Sequence, residues 1–325
     1  MSQSPLRLVF FDAATFGDVS LERFTARWNC AIHTVTAPTE VMSRLPGYQV
    51  AIVNKVVLNR SILDSPAAAD LRLIAVAATG TDNVDLEAAR DHGIRVCNVP
   101  GYAAQSVAQF TIALVLELAT RAGGYGALVR EGAWEKSPIY TRFDFPTVEL
   151  SGQKLGIIGH GNIGRRVAEM ARGLGMEVLI SARPGSSDAA PAGRRALDDV
   201  LRSSDFISLH CPLSPNTKNL IDSRVLRLMK PSAFLVNTAR GALVDEAALV
   251  EALRDKRLAG AALDVISREP PAADQQIIKA AKELDNLLVT PHCAWSTREA
   301  RERLLNETAE NITAFIEGRD RNRVT

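Results

Sequence analysis

The sequence predicts an α/β protein that contains two doubly wound parallel sheets, and three observations support this prediction. The chain has 325 residues, which is the length of two ordinary domains. Short runs that are apolar throughout, as expected for parallel strands covered on both faces, alternate with helical patterns. A glycine-rich turn, GHGNIG at 159–164, lies between an apolar strand and a helix. The alternation therefore predicts βαβ units along most of the chain.

The first hundred residues contain four predicted strands with helical patterns between them. These strands are LRLVFFDA, YQVAIVN, LRLIAVAA and IRVCNV. Between the last two, NVDLEAARDHG predicts a short helix that ends at Gly93, because glycine readily adopts the left-handed conformation found at helix ends. The pattern stops at Pro100-Gly101.

A long helix and a loose segment follow this break. The apolar pattern predicts a helix from Ser106 to Arg121, which is too short and too polar to cross a bilayer. Residues 122–150 contain several glycines and aromatic side chains, which favour a loose arm that lies on another protein surface. The aromatic residues of this arm are Trp134, Tyr140, Phe143 and Phe145.

A second series of strands and helices begins at Lys154. Its predicted strands are KLGIIG, EVLIS, FISLHCP, AFLVNTA, AGAALDV and NLLVTPH, the strand count of a full dinucleotide-binding sheet. The amphipathic helix at STREARERLLNETAENITAFIEG follows this sheet, and we expect it to return to the first unit. The sequence thus predicts one domain of residues 1–100 plus 297–325 and a second of residues 101–296. Ligands are expected in the cleft between the two.

Charge, cysteine and histidine content exclude several classes of protein. The 38 Lys and Arg residues nearly balance the 37 Asp and Glu residues, so the net charge of +1 predicts neither a nucleic-acid nor a membrane partner. The four cysteines lie far apart without a CxxC pair, which is typical of reduced thiols in the cytoplasm. The N-terminus lacks the basic flank and apolar run of a signal peptide. His33, His92 and His210 show no metal-ligand spacing, so we predict no metal.

The glycine-rich turn indicates a Rossmann-like dinucleotide site. Gly159 permits a tight turn, Gly161 allows the backbone to approach a pyrophosphate, and Gly164 allows the helix to pack closely on the sheet. The helix then presents free N–H groups and a partial positive charge to the phosphates. The other predicted cofactor contacts within the turn are His160, Asn162 and Ile163.

The end of the second strand of this series indicates which dinucleotide binds. Sites that prefer NAD place an acidic residue there, which binds the ribose and repels a 2′-phosphate. This chain has Ser181-Ala182-Arg183 instead. Ala182 removes the repulsion, and Ser181 and Arg183 can hold the phosphate. We expect NADPH or dual specificity; in the alternative, Arg183 is a solvated turn residue and either cofactor is accepted.

Three ionisable residues stand just past strands of the second series, where open α/β sheets bind ligands. Arg240 follows a strand in VNTARGALVDEAAL, Glu269 lies in LDVISREPP, and His292 lies in TPHCAWST. Each one alone is compatible with a structural role. Together they fit the reduction of a 2-keto acid. Arg240 can bind the carboxylate and polarise the carbonyl, His292 can donate the proton, and Glu269 can keep His292 protonated as its ion-pair partner.

These motifs, in their order and spacing along nearly the whole chain, resemble those of the D-isomer-specific 2-hydroxyacid dehydrogenases. Within that family, VNKVVL, AVAATGTDNVDLEAARDHGIRVCNVPGY and the AW after His292 are most similar to the glycerate dehydrogenase (hydroxypyruvate reductase) branch. The resemblance implies a split two-domain fold, in which residues 1–100 plus 297–325 bind substrate and residues 101–296 bind the dinucleotide. It also implies a homodimer formed through the long helix and the arm.

The resemblance further implies roles for individual residues. Arg240, Glu269 and His292 would be catalytic, and substrate would also contact the Lys55 side chain and the backbone N–H groups of Ala78-Thr79-Gly80. Cys211 and Pro212 would flank the adenine, Thr238 and Ala239 would face the nicotinamide, Asp264 would orient its carboxamide, and Ser106 would contact a phosphate or simply start the long helix.

We therefore expect an NAD(P)H-dependent enzyme that reduces hydroxypyruvate or glyoxylate to D-glycerate or glycolate. A phosphoglycerate dehydrogenase-like enzyme is one alternative, although such enzymes normally have additional cationic residues for the substrate phosphate. The other alternative is a dinucleotide-sensing binding protein, similar to the corepressors that share this fold and keep the three catalytic residues. Turnover of hydroxypyruvate discriminates between an enzyme and a binding protein.

Overall fold

The computed structural model describes residues 6–185 and 191–325, which fall into two units. Unit 1 comprises Met1–Ala103 and Ser296–Thr325, and unit 2 comprises Ala104–Trp295. Residues 1–5 of the predicted first domain and residues 186–190 of the predicted second domain lie outside the described residues. The binding role that the sequence assigns to each domain remains a prediction.

Parallel β-strands form the centre of each unit. In unit 1 the strands are β1 (Arg7–Phe10), β2 (Asn29–Ile32), β3 (Val50–Val53), β4 (Leu73–Val76) and β5 (Arg95–Cys97). In unit 2 they are β6 (Lys154–Ile158), β7 (Glu177–Ile180), β8 (Phe206–Leu209), β9 (Phe234–Asn237), β10 (Gly260–Leu263) and β11 (Leu287–Val289). All neighbouring strands pair in parallel, which confirms the predicted α/β fold class.

Helices connect these strands and cover the sheets. In the first part of unit 1 they are α1 (Glu22–Thr25), α2 (Val41–Arg44), α3 (Arg60–Leu63) and α4 (Leu86–Asp91). In unit 2 they are α5 (Ala104–Thr120), α6 (Ala122–Arg130), α7 (Asn162–Gly173), α8 (Leu197–Ser203), α9 (Ser223–Leu226), α10 (Glu246–Arg254) and α11 (Gln276–Glu283). The last helix, α12 (Arg298–Ile316), belongs to unit 1. Short 3-10 turns lie at Ala13–Phe16, Pro38–Glu40, Pro66–Ala68 and Gly241–Leu243.

Side-chain caps define the start of several helices. The Asp85 carboxylate accepts a hydrogen bond of 2.8 Å from the N–H of Ala88 in α4, and Asp245 accepts one of 3.0 Å from Ala248 in α10. Each bond satisfies an N–H group that has no acceptor within its own helix. Gly93, with φ of 66°, follows α4 as the sequence predicts.

The described strands of unit 1 form a sheet in the order β2-β1-β3-β4-β5. The order reverses between β1 and β3, and at such a point the carboxyl ends of the strands leave a crevice for ligands. The sequence analysis missed β2. Its residues, NCAI, form an edge strand that is only partly buried, so they lack the continuous apolar run of a central strand.

The described strands of unit 2 form a sheet in the order β11-β10-β9-β8-β6-β7. Each of them lies within a predicted apolar run. The order reverses beside β6, which carries the glycine-rich turn at its carboxyl end. Because β9, β10 and β11 are parallel neighbours, the loops that follow them emerge side by side.

Apolar side chains bury both faces of the unit 2 sheet. Leu155 and Ile157 of β6 pack on one face with α5 and α7. Ile207 and Leu209 of β8 pack on the other face with α8, α9, α10 and α11. This burial on both faces explains why the strands read as uninterrupted apolar runs.

The segment after α5 corrects one prediction. We predicted a loose arm over residues 122–150, but Ala122–Arg130 forms the helix α6. Glycines make this segment a poor helix by composition. Gly124 is needed for packing, since an added Cβ at this position would lie 2.9 Å from the Phe145 ring. The ring thus packs directly on the helix backbone. Residues 131–150 form turns and irregular structure.

No single helix among the described residues is both long and apolar enough to span a membrane. Helices α5 and α6 reach that length only as a pair, and their axes are bent by 64° where they meet.

Candidate active site

The glycine-rich turn after β6 is too crowded for side chains at two positions. Gly159 has φ of 97°, and a Cβ there would lie 2.4 Å from the backbone nitrogen of Cys211. A Cβ at Gly164 would lie 2.2 Å from the carbonyl oxygen of Gly159. These two glycines are therefore required by the close approach of β6, α7 and the loop after β8.

Gly161 differs from them because the space beside it is open. Apart from Gly161 and the chain on either side of it, no described residue has an atom within 4 Å of a Cβ built at this position. Gly161 is also the N-cap of α7, and no described side chain caps the helix there. The first N–H groups of α7 therefore point to a position that a phosphate can occupy, as at other anion-binding helix starts. The turn, which includes His160, Asn162 and Ile163, fits the pyrophosphate of a dinucleotide.

Ser181 lies buried at the end of β7. This residue is only 1% exposed, and its hydroxyl donates a hydrogen bond of 2.9 Å to the carbonyl of Ala182. Its contact with a cofactor phosphate remains a prediction. Ala182 is partly buried and Arg183 is exposed, so their predicted roles remain open.

The loop after β8 forms one wall of the glycine turn. Burial raises the pKa of the Cys211 thiol to about 11, so this cysteine is an unreactive packing residue. Pro212 is exposed beside it. The Nε2 atom of His210 lies 2.8 Å from the Ser208 hydroxyl, and burial lowers the pKa of His210 to about 3. His210 is thus neutral at physiological pH.

Glu269 and His292 form a close pair. The Nδ1 atom of His292 lies 2.5 Å from Oε2 of Glu269, while Oε1 of Glu269 accepts a 2.9 Å hydrogen bond from the N–H of Ile266. The side chains of His292 and Glu269 are 26% and 31% exposed, so a ligand can reach the pair. A proton on Nδ1 is required for this hydrogen bond to a carboxylate. Nε2 is then the ring nitrogen that is left to contact a ligand.

Asp264 positions the loop that carries His292. Its carboxylate accepts hydrogen bonds from the Thr290 hydroxyl at 2.6 Å, the Cys293 N–H at 2.9 Å and the Ala294 N–H at 2.9 Å. The N–H of His292 donates to the carbonyl of Asp264 at 2.8 Å. These bonds hold His292 at φ of 51°, a left-handed conformation that non-glycine residues rarely adopt. The sequence analysis assigned Asp264 only to the nicotinamide carboxamide, and that contact remains a prediction.

The loop with Arg240 lies against the loop with Glu269. A Cβ at Gly241 would lie 1.9 Å from the backbone carbon of Ile266, so these two backbones are in direct contact. The buried Asn237 side chain fixes the turn from within, because it accepts from the Ala239 N–H at 3.0 Å and donates to the Arg240 carbonyl at 2.8 Å. Unit 2 therefore brings the Arg240, Glu269 and His292 loops together at one edge of its sheet.

Helix α5 supports the same edge through Ser106. This residue is 4% exposed, and its hydroxyl donates a hydrogen bond of 2.6 Å to the carbonyl of Ala294. It therefore ties α5 to the loop of His292, and its contact with a phosphate remains a prediction. Thr238 is buried, with its hydroxyl 2.9 Å from that of Thr111 in α5. Ala239 is partly exposed.

In unit 1, the predicted substrate residues lie at the carboxyl ends of β3 and β4. The N–H groups of Ala78, Thr79 and Gly80 donate to no acceptor among the described residues. The turn is held from outside, since the Asn98 amide donates to the Thr79 carbonyl at 2.7 Å and the Thr79 hydroxyl donates to the Val99 carbonyl at 2.9 Å. Three such N–H groups in one turn can bind a carboxylate.

Lys55 follows β3, and a buried acid that the sequence analysis missed holds its loop. The Asp12 carboxylate accepts hydrogen bonds from the backbone N–H groups of Asn54, Lys55 and Val56 at 2.5–3.0 Å. Burial raises the pKa of Asp12, and this effect is larger than the lowering of the pKa by each of these hydrogen bonds. The Lys55 side chain is exposed. No local pattern in the sequence connects Asp12 to a loop more than forty residues away.

The described part of the chain contains no group of three or more His, Cys, Asp or Glu side chains that could hold a metal ion.

Comparisons with known proteins identify the family. The protein-family model for the NAD binding domain of D-isomer specific 2-hydroxyacid dehydrogenases matches residues 112–294 of this sequence. The chain is 44% identical over 286 residues to the glycerate dehydrogenase of Methylorubrum extorquens, with 88% of each chain covered. It is 35% identical over 307 residues to the hydroxypyruvate reductase of Blautia hydrogenotrophica, with 93% of this chain and 94% of that protein covered.

A solved structure extends this similarity to the whole fold. An acyclic imino acid reductase, Bsp5, in complex with NADPH and D-Arg, matches with a TM-score of 0.84 and 28% identity over 98% of this chain and 100% of that chain. The family model spans more than half of the sequence, and the curated relatives cover most of it. The chain therefore belongs to the D-isomer-specific 2-hydroxyacid dehydrogenases, oxidoreductases that act on 2-hydroxy acids and bind a nicotinamide dinucleotide.

Proposed function

We propose that this protein reduces a small 2-keto acid, hydroxypyruvate or glyoxylate, to the D-2-hydroxy acid with NAD(P)H. The observation that carries the proposal is the 2.5 Å bond between His292 Nδ1 and Glu269 Oε2. It creates an acid–base group at the sheet edge where Arg240 also lies. The glycerate dehydrogenase and hydroxypyruvate reductase relatives support this choice of substrate.

The side chains divide the reaction between them. A bound nicotinamide supplies the hydride. Arg240 binds the substrate carboxylate through parallel hydrogen bonds and polarises the adjacent carbonyl. His292 donates the Nε2 proton to the carbonyl oxygen as the hydride arrives, and Glu269 stabilises the charged imidazole before that transfer. In the reverse direction, neutral His292 accepts the proton from the hydroxyl.

Unit 1 contributes to substrate binding in this proposal. The N–H groups of Ala78, Thr79 and Gly80, which donate to no acceptor in the described ranges 6–185 and 191–325, suit a carboxylate, and the exposed Lys55 adds a cation. Asp12 fixes the backbone of the Lys55 loop. These residues would add binding energy for small anionic substrates.

The cofactor is proposed to be NADPH, or NADPH and NADH in similar measure. The end of β7 carries Ala182 where an acid would repel a 2′-phosphate, and Arg183 next to it is exposed. The solved imino acid reductase with the same fold binds NADPH.

A homodimer is proposed to form through α5 and the segment after it. Several large apolar side chains of that segment are exposed, with Tyr140 at 90% and Phe143 at 83%. Clustered exposed aromatic residues are typical of protein interfaces.

The cytoplasm is the proposed compartment, because the four cysteines are free and a reducing environment keeps them so.

A kinetic panel tests the proposed function. Hydroxypyruvate, glyoxylate, pyruvate and 3-phosphohydroxypyruvate are each supplied with NADPH and with NADH, and nucleotide oxidation is followed. We expect the first two keto acids to give the highest kcat/KM. Preference for 3-phosphohydroxypyruvate would favour the phosphoglycerate dehydrogenase-like alternative. Nucleotide binding without turnover of any keto acid would favour the corepressor-like binding protein.

A further inference from the structure

The turn after β4, residues 77–80, is held at its backbone carbonyls by neighbouring strand ends of unit 1. The Asn54 amide, directly after β3, donates a hydrogen bond of 2.6 Å to the carbonyl of Ala77. The Asn98 amide, directly after β5, donates one of 2.7 Å to the carbonyl of Thr79. Two side chains from opposite sides of β4 therefore fix the first and third carbonyls of the turn.

The fixed carbonyls determine where the N–H groups of the turn point. The peptide groups of this turn are trans and planar, so the C=O and the N–H of each group point in opposite directions. The bond to the Ala77 carbonyl thus sets the direction of the Ala78 N–H. The bond to the Thr79 carbonyl sets the direction of the Gly80 N–H in the same way. The middle peptide group is fixed by the Val99 N–H, which donates to the Ala78 carbonyl at 2.9 Å.

The N–H groups directed in this way are the ones without an acceptor. Those of Ala78, Thr79 and Gly80 donate to no other group in the described ranges of the chain. Thr79 is exposed and its two neighbours are partly exposed, so a ligand can reach the turn. N–H groups whose directions are already set bind a carboxylate with a smaller loss of entropy than those of a mobile turn.

The backbone of Asn98 is itself held on both sides. Its N–H donates to the Asn322 carbonyl at 3.1 Å, and its carbonyl accepts a hydrogen bond of 2.8 Å from the Asn311 amide in α12. Asn311 is 3% exposed, and its Oδ1 atom accepts a hydrogen bond of 3.0 Å from the Asn322 amide. These bonds keep the Asn98 side chain at the Thr79 carbonyl.

We propose that Asn98 is a positioning residue for substrate binding, which aims the Gly80 N–H at the carboxylate of the keto acid. Its amide contacts the Thr79 carbonyl and acts on the substrate only through the peptide group that follows. This inference rests on the proposed function and adds to it a residue that determines substrate affinity.

The Asn98→Leu variant isolates this effect, because leucine is close to asparagine in size but cannot donate a hydrogen bond. Gln49→Met is the matched control. Gln49 directly precedes β3, at the opposite end of the strands from the turn, and its amide donates to the Gly47 carbonyl at 3.2 Å. Both variants therefore remove a bond from an amide to a backbone carbonyl within unit 1.

Three measurements are made on each variant of the whole protein. Steady-state reduction of hydroxypyruvate gives kcat and KM. Competitive inhibition by oxamate gives the affinity for a carboxylate that cannot accept a hydride. Fluorescence titration gives the affinity for the nucleotide.

We expect Asn98→Leu to raise both the KM for hydroxypyruvate and the inhibition constant of oxamate by about five- to tenfold, which is typical of one lost hydrogen bond. The kcat should stay within about threefold, because the turn contacts the carboxylate both before and during hydride transfer. Nucleotide affinity should not change. Gln49→Met should leave all constants within about twofold of the wild type. Asn98→Ser, whose hydroxyl is too short to reach the carbonyl, should have the same effect as Asn98→Leu.

Other outcomes overturn the inference. An unchanged KM and oxamate constant in both Asn98 variants would show that the Gly80 N–H does not depend on this amide, while leaving the proposed reductase intact. Equal changes in Asn98→Leu and Gln49→Met would show a general loss of structure instead of a local effect. A wild-type protein that neither reduces a keto acid nor binds oxamate would contradict the proposed function, and the inference with it.

Discussion

His292 and Glu269 are joined by a 2.5 Å contact between Nδ1 and Oε2, although 23 positions separate them in the sequence. The contact links the loop after β11 to the loop after β10, two neighbouring strands of one parallel sheet. It fixes the orientation of the ring, so that in the proposed reaction Nε2 is the nitrogen that exchanges the proton with substrate.

The Glu269→Gln variant tests this partnership. The amide keeps the shape of the side chain but removes its negative charge, so the Nδ1 atom of His292 loses a charged hydrogen-bond partner. We expect kcat/KM for keto-acid reduction to fall by about tenfold or more, which is typical of a lost charged hydrogen bond. The measurement is kcat/KM with saturating cofactor, with cofactor affinity as the control. Kinetics identical to those of the wild type would show that the carboxylate does not support His292.

The Arg240→Lys variant tests the carboxylate clamp. Lysine keeps the charge but cannot form two parallel hydrogen bonds, so we expect kcat/KM to fall by about 10²-fold or more. Cofactor affinity, measured by fluorescence titration, should stay within about twofold of the wild type because the glycine turn is untouched. Unchanged kinetics with this variant would remove Arg240 from the active site.

The Ala182→Asp variant tests the ribose site. An acid at the end of β7 should repel a 2′-phosphate and bind the ribose hydroxyls of NADH. We expect the ratio of kcat/KM for NADPH to that for NADH to fall by about tenfold or more. Ala182→Asn is the control, since it has a similar volume without the charge. An equal effect of both substitutions would mean that the shift comes from crowding rather than charge.

His210 predicts an acid dependence of stability. Burial lowers its pKa from an ordinary value of 6.5 to about 3, so the unfolded chain binds a proton between these values that the folded chain does not. The stabilisation is present above pH 6.5 and is lost as the pH falls toward 3, by at most about 1.4 kcal/mol per pH unit. The His210→Gln variant should therefore show a smaller fall in unfolding free energy from pH 7.5 to 5.5.

Urea unfolding at the two pH values measures this difference, and His92→Gln, which replaces an exposed histidine, is the control. If His210→Gln and the wild type lose the same unfolding free energy on acidification, the buried imidazole is not the source of the acid sensitivity.

The features that the sequence predicted depend on local signals. The strands of unit 2 were recognised because burial on both faces makes each one a continuous apolar run. Arg240, Glu269 and His292 were singled out because they follow such runs, and a parallel sheet brings the ends of neighbouring strands to one edge. The glycine turn was recognised from the spacing of its glycines, and the close backbone contacts at Gly159 and Gly164 explain why glycine is required at these two positions.

The features that the sequence did not predict depend on contacts between distant segments. Strand β2 lies at a sheet edge without an apolar run, and within α6 the Phe145 ring packs on Gly124, a contact that the local sequence does not show. The hydrogen bond from the Ser106 hydroxyl to the Ala294 carbonyl was not predicted, because 188 positions separate the two residues. The loop-holding role of Asp264 was missed for a similar reason, as its partners lie after the next strand.

The central claim is that His292, paired with Glu269 at the edge where Arg240 lies, protonates a 2-keto acid as it receives a hydride. The most direct test compares the wild type with His292→Asn in reducing hydroxypyruvate with NADPH, with chiral analysis of the product. The account predicts one D-glycerate formed for each NADPH oxidised, and a kcat about 10²- to 10⁴-fold lower in the variant at equal cofactor affinity. Formation of L-glycerate, or a variant as fast as the wild type, would contradict it.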